Sequence, residues 1–444
     1  MKLSFKNILI IWSALAILLV SCSGGGEAPN TPEESEALHL PESQFLRLFE
    51  RTSGRILYMG LDGNLHTIKQ TGEGDVMITQ DSNFDQSSPD FRGYLRFAWS
   101  PNGEKIAYVG LDPEKFFMHT INADGSNPVE KFASSDEFPI YLFWTPDSEF
   151  IGFLTNKWAS SELQMHYVSA EGASSPKTLG SGEVYYWVWE PHGHTRFLVH
   201  VEKEQESQLM MVSTGDEQAI EYPLHLATFQ APAWSPKGDQ LMLAVKGESE
   251  KENHLIITNL EGHVQSRLAI VSNSCAFSWS PDGKSVAYIS SDRHRGGVMG
   301  PLTVQNIANK DEKLLVDDPY IFAFFWAPDN KKIAYFTREI APGDETSDTA
   351  NGYSAAVTLY TLDLKSGKRT NLFSFFPTDL FSEVLSQFDQ YQYSSSIWSP
   401  DSENIVISAQ ASDGQGGVII VVPASGNLQP RPIVEGFLAF WSPK

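Results

Sequence analysis

One tripeptide, Trp-x-Pro, returns along this chain at a nearly fixed interval, and that interval limits what the chain can fold into. The Trp stands at positions 99, 144, 189, 234, 279, 326, 398 and 441, spaced by 45, 45, 45, 45, 47, 72 and 43 residues. The fullest copy runs Trp279-Ser280-Pro281-Asp282-Gly283-Lys284-Ser285-Val286-Ala287-Tyr288. Its proline fixes φ for the second position of a β-turn. Its aspartate bonds nearby backbone, and its glycine takes the positive φ that often follows. Apolar runs flank the turn (Phe322 to Phe325 before it; Lys332-Ile333-Ala334-Tyr335 after it), as two strands would. A second hairpin follows in most units, marked by turns such as Asn122-Ala123-Asp124-Gly125 and Leu260-Glu261-Gly262. Four short strands in about 45 residues make one propeller blade.

The fold predicted is therefore all-β, a β-propeller of eight four-stranded blades. Seven is the alternative, if one degenerate unit is absorbed elsewhere. Trp441-Ser442-Pro443 has no strand after it, whereas Arg55-Ile56-Leu57-Tyr58 is a post-turn strand with no Trp-x-Pro before it. The two chain ends are expected to share one blade, with N-terminal strands from roughly 55–80, which leaves no open sheet edge around the ring.

These residues resemble the TolB-type propeller repeat, Trp-Ser-Pro-Asp-Gly-Lys-x-Ile-Ala-Tyr. It also occurs in the propeller domains of prolyl oligopeptidase and dipeptidyl peptidase IV relatives. The resemblance covers about 55–444. It is close in Pro281 to Tyr288 and weakens at Glu190-Pro191-His192-Gly193-His194; Ser148 and Ser402 replace the turn glycine. The chain departs from TolB itself in its lipoprotein-like start, its eight units in place of six, and the lack of an α/β domain before the repeats.

Met1 to Ser21 reads as a secretory signal, with Lys2 and Lys6 ahead of the apolar Ile8 to Val20. Leu19-Val20-Ser21-Cys22 resembles the bacterial lipoprotein cleavage box, which implies lipidation at Cys22. Residues 22–44 read as a flexible tether and 45–444 as the propeller domain, with Phe45 to Phe49 docking on the ring as a helical turn or a strand. No other stretch approaches the ~20 apolar residues of a membrane span.

The formal charge of −23 becomes −25 once Lys2 and Lys6 leave with the signal. A balance so acidic argues against nucleic acid as partner and against electrostatic docking on anionic lipid. Of two cysteines, Cys22 is committed to lipid, so Cys275 has no intrachain partner and reads as a small buried apolar residue. The core must hold the fold, and 11 Trp and 27 Phe make that feasible.

Chemistry is sparse. His192 and His194 flank Gly193, but two imidazoles are short of the three or four ligands a metal needs, and no nearby sequence completes the set. Tyr185 to Trp189 reads as packing between blades rather than as a stacking platform. Asp292-Arg293-His294-Arg295-Gly296-Gly297 reads as a solvated hairpin loop.

The irregular unit is more informative. Trp326 to Trp398 exceeds the common spacing by 27 residues, an insertion at about 339–393, and inserted loops on rigid scaffolds carry binding. Glu339 to Tyr353 reads as a plain acidic loop without a calcium-loop pattern. Thr378 or Asp379 can cap a helix whose Leu380, Phe381, Val384, Leu385 and Phe388 recur at helical spacing, and Asp389 to Tyr393 then leads back into a strand. That helix packs on its own ring or serves as a lid, and the candidate partner-binding residues are Leu380, Phe381, Leu385, Phe388 and Tyr391.

No Gly-x-Ser-x-Gly elbow occurs, and the 11 His are scattered through the blades. The expectation is a non-catalytic, lipid-anchored module outside the cytoplasm that binds an envelope protein or peptide, without cofactor or metal. The alternative is a glycan-active or hydrolytic propeller with its site in the central channel.

Overall fold

A computed structural model describes residues 54–444 except 158–159, 161, 204–205, 216–218, 228–230, 248–251, 273, 292–297, 311–312, 339–355, 413 and 415. The signal, Cys22, the tether, Phe45 to Phe49, the 292–297 loop and the acidic loop at 339–353 therefore lie outside the described residues.

Each unit folds as an antiparallel meander. The first comprises Gly93–Trp99, Lys105–Leu111, Phe116–Asn122 and Val129–Ser134, in spatial order. The Trp-bearing strand is innermost. Sheets standing face to face bury their middle strands on both sides, so Lys332–Arg338 and Asn404–Gln410 are almost wholly buried and read as apolar runs. Outer strands are covered less. Lys313–Val316, for example, leaves Leu315 exposed.

The ring has seven sheets, six of four strands and one of six. The expectation of eight separate blades is thus corrected to the alternative count. The reason is a single strand, Arg431–Trp441, that serves two units. Its first half pairs with Gly417–Pro423 (Val418 opposite Glu435, Ile419 opposite Val434), and its second half pairs with Ile56–Gly60 (Ile56 opposite Trp441, Tyr58 opposite Ala439). Elsewhere an outer strand stops before the next inner strand begins, as in Lys177–Gly182 and Val184–Trp189. Here the handover has no break. Gly436 sits at the changeover, where a Cβ would come 2.6 Å from the Met59 carbonyl oxygen. The N- and C-terminal strands share this sheet and close the ring, as expected.

The repeated residues join the sheets to one another. Trp144 donates its indole N–H to the Ala98 carbonyl of the preceding sheet at 3.2 Å, Trp189 to Phe143 at 3.2 Å, Trp234 to Val188 at 3.2 Å and Trp398 to Phe325 at 3.1 Å. Trp326 donates to the Ser278 hydroxyl at 3.0 Å. Trp99, Trp279 and Trp441 find no acceptor among the described residues. Within the turns, Ser280 Oγ receives the Ser285 N–H at 2.9 Å and donates to Asp282 Oδ1 at 2.8 Å, which holds the hairpin closed.

The turns that lack glycine add a second link. Ser148, Asn330 and Ser402 adopt φ of 67°, 61° and 63°. Each side chain then accepts a backbone N–H from the preceding unit's turn: Asn102 to Ser148 at 3.1 Å, Asp282 to Asn330 at 2.8 Å and Asp329 to Ser402 at 3.0 Å. What reads in the sequence as motif decay is a latch between sheets. Left-handed backbone costs a non-glycine residue roughly 1–2 kcal/mol, comparable with the net worth of one such bond. Ser402→Ala keeps the strain and loses the acceptor, so it is expected to destabilise the protein by about 1–2 kcal/mol. Ser402→Gly loses the bond but relieves the strain and should cost less. Urea midpoints of parent and variants decide, and an alanine variant as stable as the parent refutes the latch.

Candidate functional site

The insertion enters the middle of the ring. Thr378 caps helix α1 (Asp379–Ser386), its Oγ1 accepting the Phe381 N–H at 3.3 Å and donating to the Phe437 carbonyl at 2.6 Å. The chain kinks at Gln387 (φ −120°, ψ 34°) and continues as helix α2 (Phe388–Ser394). The expectation that Asp389 to Tyr393 leads straight back into a strand is corrected. Phe388 and Tyr391, three residues apart, bury one face of a second helix.

Together the helices meet innermost strands from around the ring and plug the channel. Phe381 packs on Phe336 and Phe375, Phe388 on Phe324 and Phe325, and Tyr391 against Tyr141 with ring centres 5.3 Å apart. Tyr141 donates its hydroxyl to the Gln390 carbonyl at 3.2 Å. Arg96 reaches Glu383 Oε1 at 2.6 Å. Of the residues expected to meet a partner, Phe381, Leu385, Phe388 and Tyr391 are buried here, and Leu380 is partly buried. As folded, they pack the plug onto its own ring.

Asp389 sits in this plug facing Tyr141, Tyr186 and Tyr393. Burial pushes its carboxyl up to about 6, against the backbone N–H groups of Ala231, Gln390 and Asp389 itself, which favour the ionised form. Burial likewise raises the hydroxyls of Tyr141, Tyr186 and Tyr393, with the Asp389 charge adding to the effect.

Above α2 the channel opens into a cup of about 430 Å³. Its wall is the repeat itself: the indoles of Trp144, Trp189, Trp234, Trp279, Trp326 and Trp398, with Pro101, Pro146, Pro191, Pro236 and Pro281 from the turns. Gln392, Tyr393, Ser395 and Ser396, from the end of the insertion, line it as well. Among the described residues, no carboxylate, imidazole, amine or thiol lines it. The sequence shows every tryptophan of this wall but not that they converge, because that takes six units closing on one axis.

The remaining candidates are elsewhere. Tyr185, Trp187 and Trp189 are packed in the core. Cys275 is buried, which pushes its thiol up. His192 is exposed, and His194 pairs with Asp147 of the preceding unit. One cluster escaped the sequence reading altogether. His66 is held between Asp62 and Asp75 at 3.2 and 3.1 Å, and Tyr58 stacks on its ring and donates to Asp75 at 2.8 Å. Among the described residues no helix is long and apolar enough to cross a membrane.

No protein-family model and no curated protein sequence matches the chain. Solved structures similar to it are propellers. TolB from Acinetobacter baumannii is 14% identical over 87% of this chain and 82% of its own, with a TM-score of 0.38. The dihydro-heme d1 dehydrogenase NirN, in complex with DHE, is 12% identical over 88% of this chain and 75% of its own, with a TM-score of 0.52. An oligogalacturonate lyase in complex with manganese is 12% identical over 84% and 98%, with a TM-score of 0.46. At these identities the likeness is one of fold. The chain is a β-propeller.

Two measurements check the plug. Phe388→Ala, at a buried ring contact, is expected to cost about 3–5 kcal/mol of stability, and Leu380→Ala about 1 kcal/mol. Equal losses in denaturant titrations would mean that the helices do not pack as described. The second measurement concerns pH. A carboxyl raised from 3.8 to about 6 by folding makes the native state hold more protons than the unfolded chain across that window. The Asp389 contribution is therefore fully favourable below about pH 4 and lost as pH rises through 6. Asp389→Asn should be more stable than the parent by about 3 kcal/mol at pH 7, with the gap nearly closed by pH 4. A gap independent of pH overturns the assignment.

Proposed function

We propose that this protein is an extracytoplasmic, lipid-anchored binding module that captures a peptide or protein segment in the tryptophan- and proline-lined cup. The cup carries the reading. Its wall is aromatic and its lining is uncharged. General acid–base or nucleophilic chemistry needs titratable groups beside the substrate, and the lining supplies none except the tyrosine hydroxyl of Tyr393, which burial holds protonated. Rigid indoles that lose little entropy on binding suit an apolar or proline-bearing segment.

The start of the chain supports the location. Lys2 and Lys6, the apolar Ile8 to Val20 and the cleavage-box residues Leu19-Val20-Ser21-Cys22 suit export followed by lipidation at Cys22. The following residues, poor in large apolar groups, suit a tether that lets the ring reach its partner.

The test uses the full chain in detergent, immobilised and exposed to envelope extract from its own host. Parent and Trp326→Ser/Tyr393→Ser proteins are compared, and any captured partner is then purified and titrated directly. A partner bound by the parent and weakened roughly tenfold or more by the cup variant supports the module. Undiminished binding by the folded variant, or binding of glycans in place of any polypeptide, overturns it.

A further inference from the structure

We propose that Asp147, Glu149 and His194 form a binding site for a first-row divalent transition cation, of the zinc class, between the turns of two neighbouring sheets. The site lies apart from the cup and does not depend on the reading of it. His194 Nδ1 stands 2.5 Å from Asp147 Oδ2 and 3.5 Å from Glu149 Oε2, and one donor atom from each residue lies within 4.8 Å of the others.

The repeat places these donors. Five residues after each marker Trp, the fullest copies carry a lysine that neutralises the aspartate of its own turn. Lys284 meets Asp282 at 3.3 Å and Lys331 meets Asp329 at 3.1 Å. The same position is Glu149 in the second unit and His194 in the third. The remaining units carry Glu104, Asp239 and Glu403 there, so what sets this pair of turns apart is the imidazole that faces both Asp147 and Glu149. Asp147 keeps its turn duty through Oδ1, which accepts the Thr145 hydroxyl at 2.7 Å and the Glu149 N–H at 3.0 Å, so Oδ2 is left to face the imidazole. Among the described residues, neither carboxylate pairs with a lysine or arginine.

The supports are built in. Phe150 packs on the imidazole with ring centres 4.7 Å apart, and Thr214 Oγ1 donates to the His194 carbonyl at 3.1 Å. Ligands about 2.0–2.1 Å from a tetrahedral zinc stand roughly 3.4 Å from one another. The His194–Glu149 separation already matches, and the His194–Asp147 pair opens by about 1 Å. The Nδ1 proton leaves as the cation enters, and the neutral ring then carries its proton at Nε2. Water fills the fourth position. An imidazole among the ligands selects against calcium and magnesium, which take oxygen. The sequence reading dismissed metal here because it sought ligands beside His194, whereas the fold brings them from 45 and 47 residues earlier.

The experiment is calorimetric titration of ZnCl₂ into the metal-stripped full chain, with thermal unfolding read in parallel. Saturable uptake of one zinc ion per chain is expected, with a rise in Tm, and calcium at the same concentration should not compete. His194→Ala and Asp147→Asn should each weaken uptake roughly tenfold or more and abolish the Tm rise. Glu149 is largely exposed, so Glu149→Gln keeps the test open if either of the others fails to fold, and it should weaken uptake in the same direction. Absence of saturable uptake by the parent, or uptake unchanged in the folded variants, overturns the site. Peptide capture at the cup that persists after chelation leaves the two proposals separable.

Discussion

The indole N–H of one sheet donating to the backbone carbonyl of the next is the contact on which the ring depends. A propeller sheet has only four strands and cannot bury both faces alone, so each needs its neighbours. Apolar stacking supplies that burial but defines poorly how one sheet sits against the next. Where the bond forms, at Trp144, Trp189, Trp234 and Trp398, the indole settles the offset: it is large enough to cover the seam, and its single donor finds a buried carbonyl. Trp144, Trp189 and Trp234 each reach a carbonyl 46 residues back, one more than the repeat length. The period in the sequence and the hydrogen bond in the structure are one constraint seen twice.

That coupling explains how much was legible in advance. The all-β ring, the four-stranded units and the shared closing sheet follow from local turn chemistry and the period. The number of sheets does not, because it turned on whether the chain breaks between Val434 and Phe437. Gly436 permits the strand to run on, and nothing in the Trp count records this. The latches at Ser148 and Ser402 were visible as departures from the motif. Their meaning was not, since the N–H they accept belongs to another unit.

The candidate site divides the same way. Helical spacing from Leu380 to Phe388 was readable, and α1 forms with the Thr378 cap it suggested. Where its apolar face goes was beyond local pattern. A face that suits a partner also suits a channel lined by Phe324, Phe325 and Phe336, and the insertion is tethered at both ends within the ring. An intramolecular partner at such effective concentration takes precedence over an external one. The cup is a consequence: the plug occupies the channel and leaves only its mouth, walled by the tryptophans that hold the ring together.

The polar contacts of the plug bear on its orientation. Phenylalanine and leucine packing is nearly non-directional, and a ring of similar aromatic strands presents comparable surfaces at many rotations about the axis. Arg96 with Glu383, and the Tyr141 hydroxyl on the Gln390 carbonyl, are each available at one rotation only. Burying such groups adds little net stability, and burial opposes ionisation of Asp389. Their effect is selective: a rotated plug would leave a guanidinium and a carboxylate without partners in the channel, at a cost of several kcal/mol. The apolar residues thus account for the plug being inside, and the charged ones for its facing one way, with Tyr393 presented to the cup.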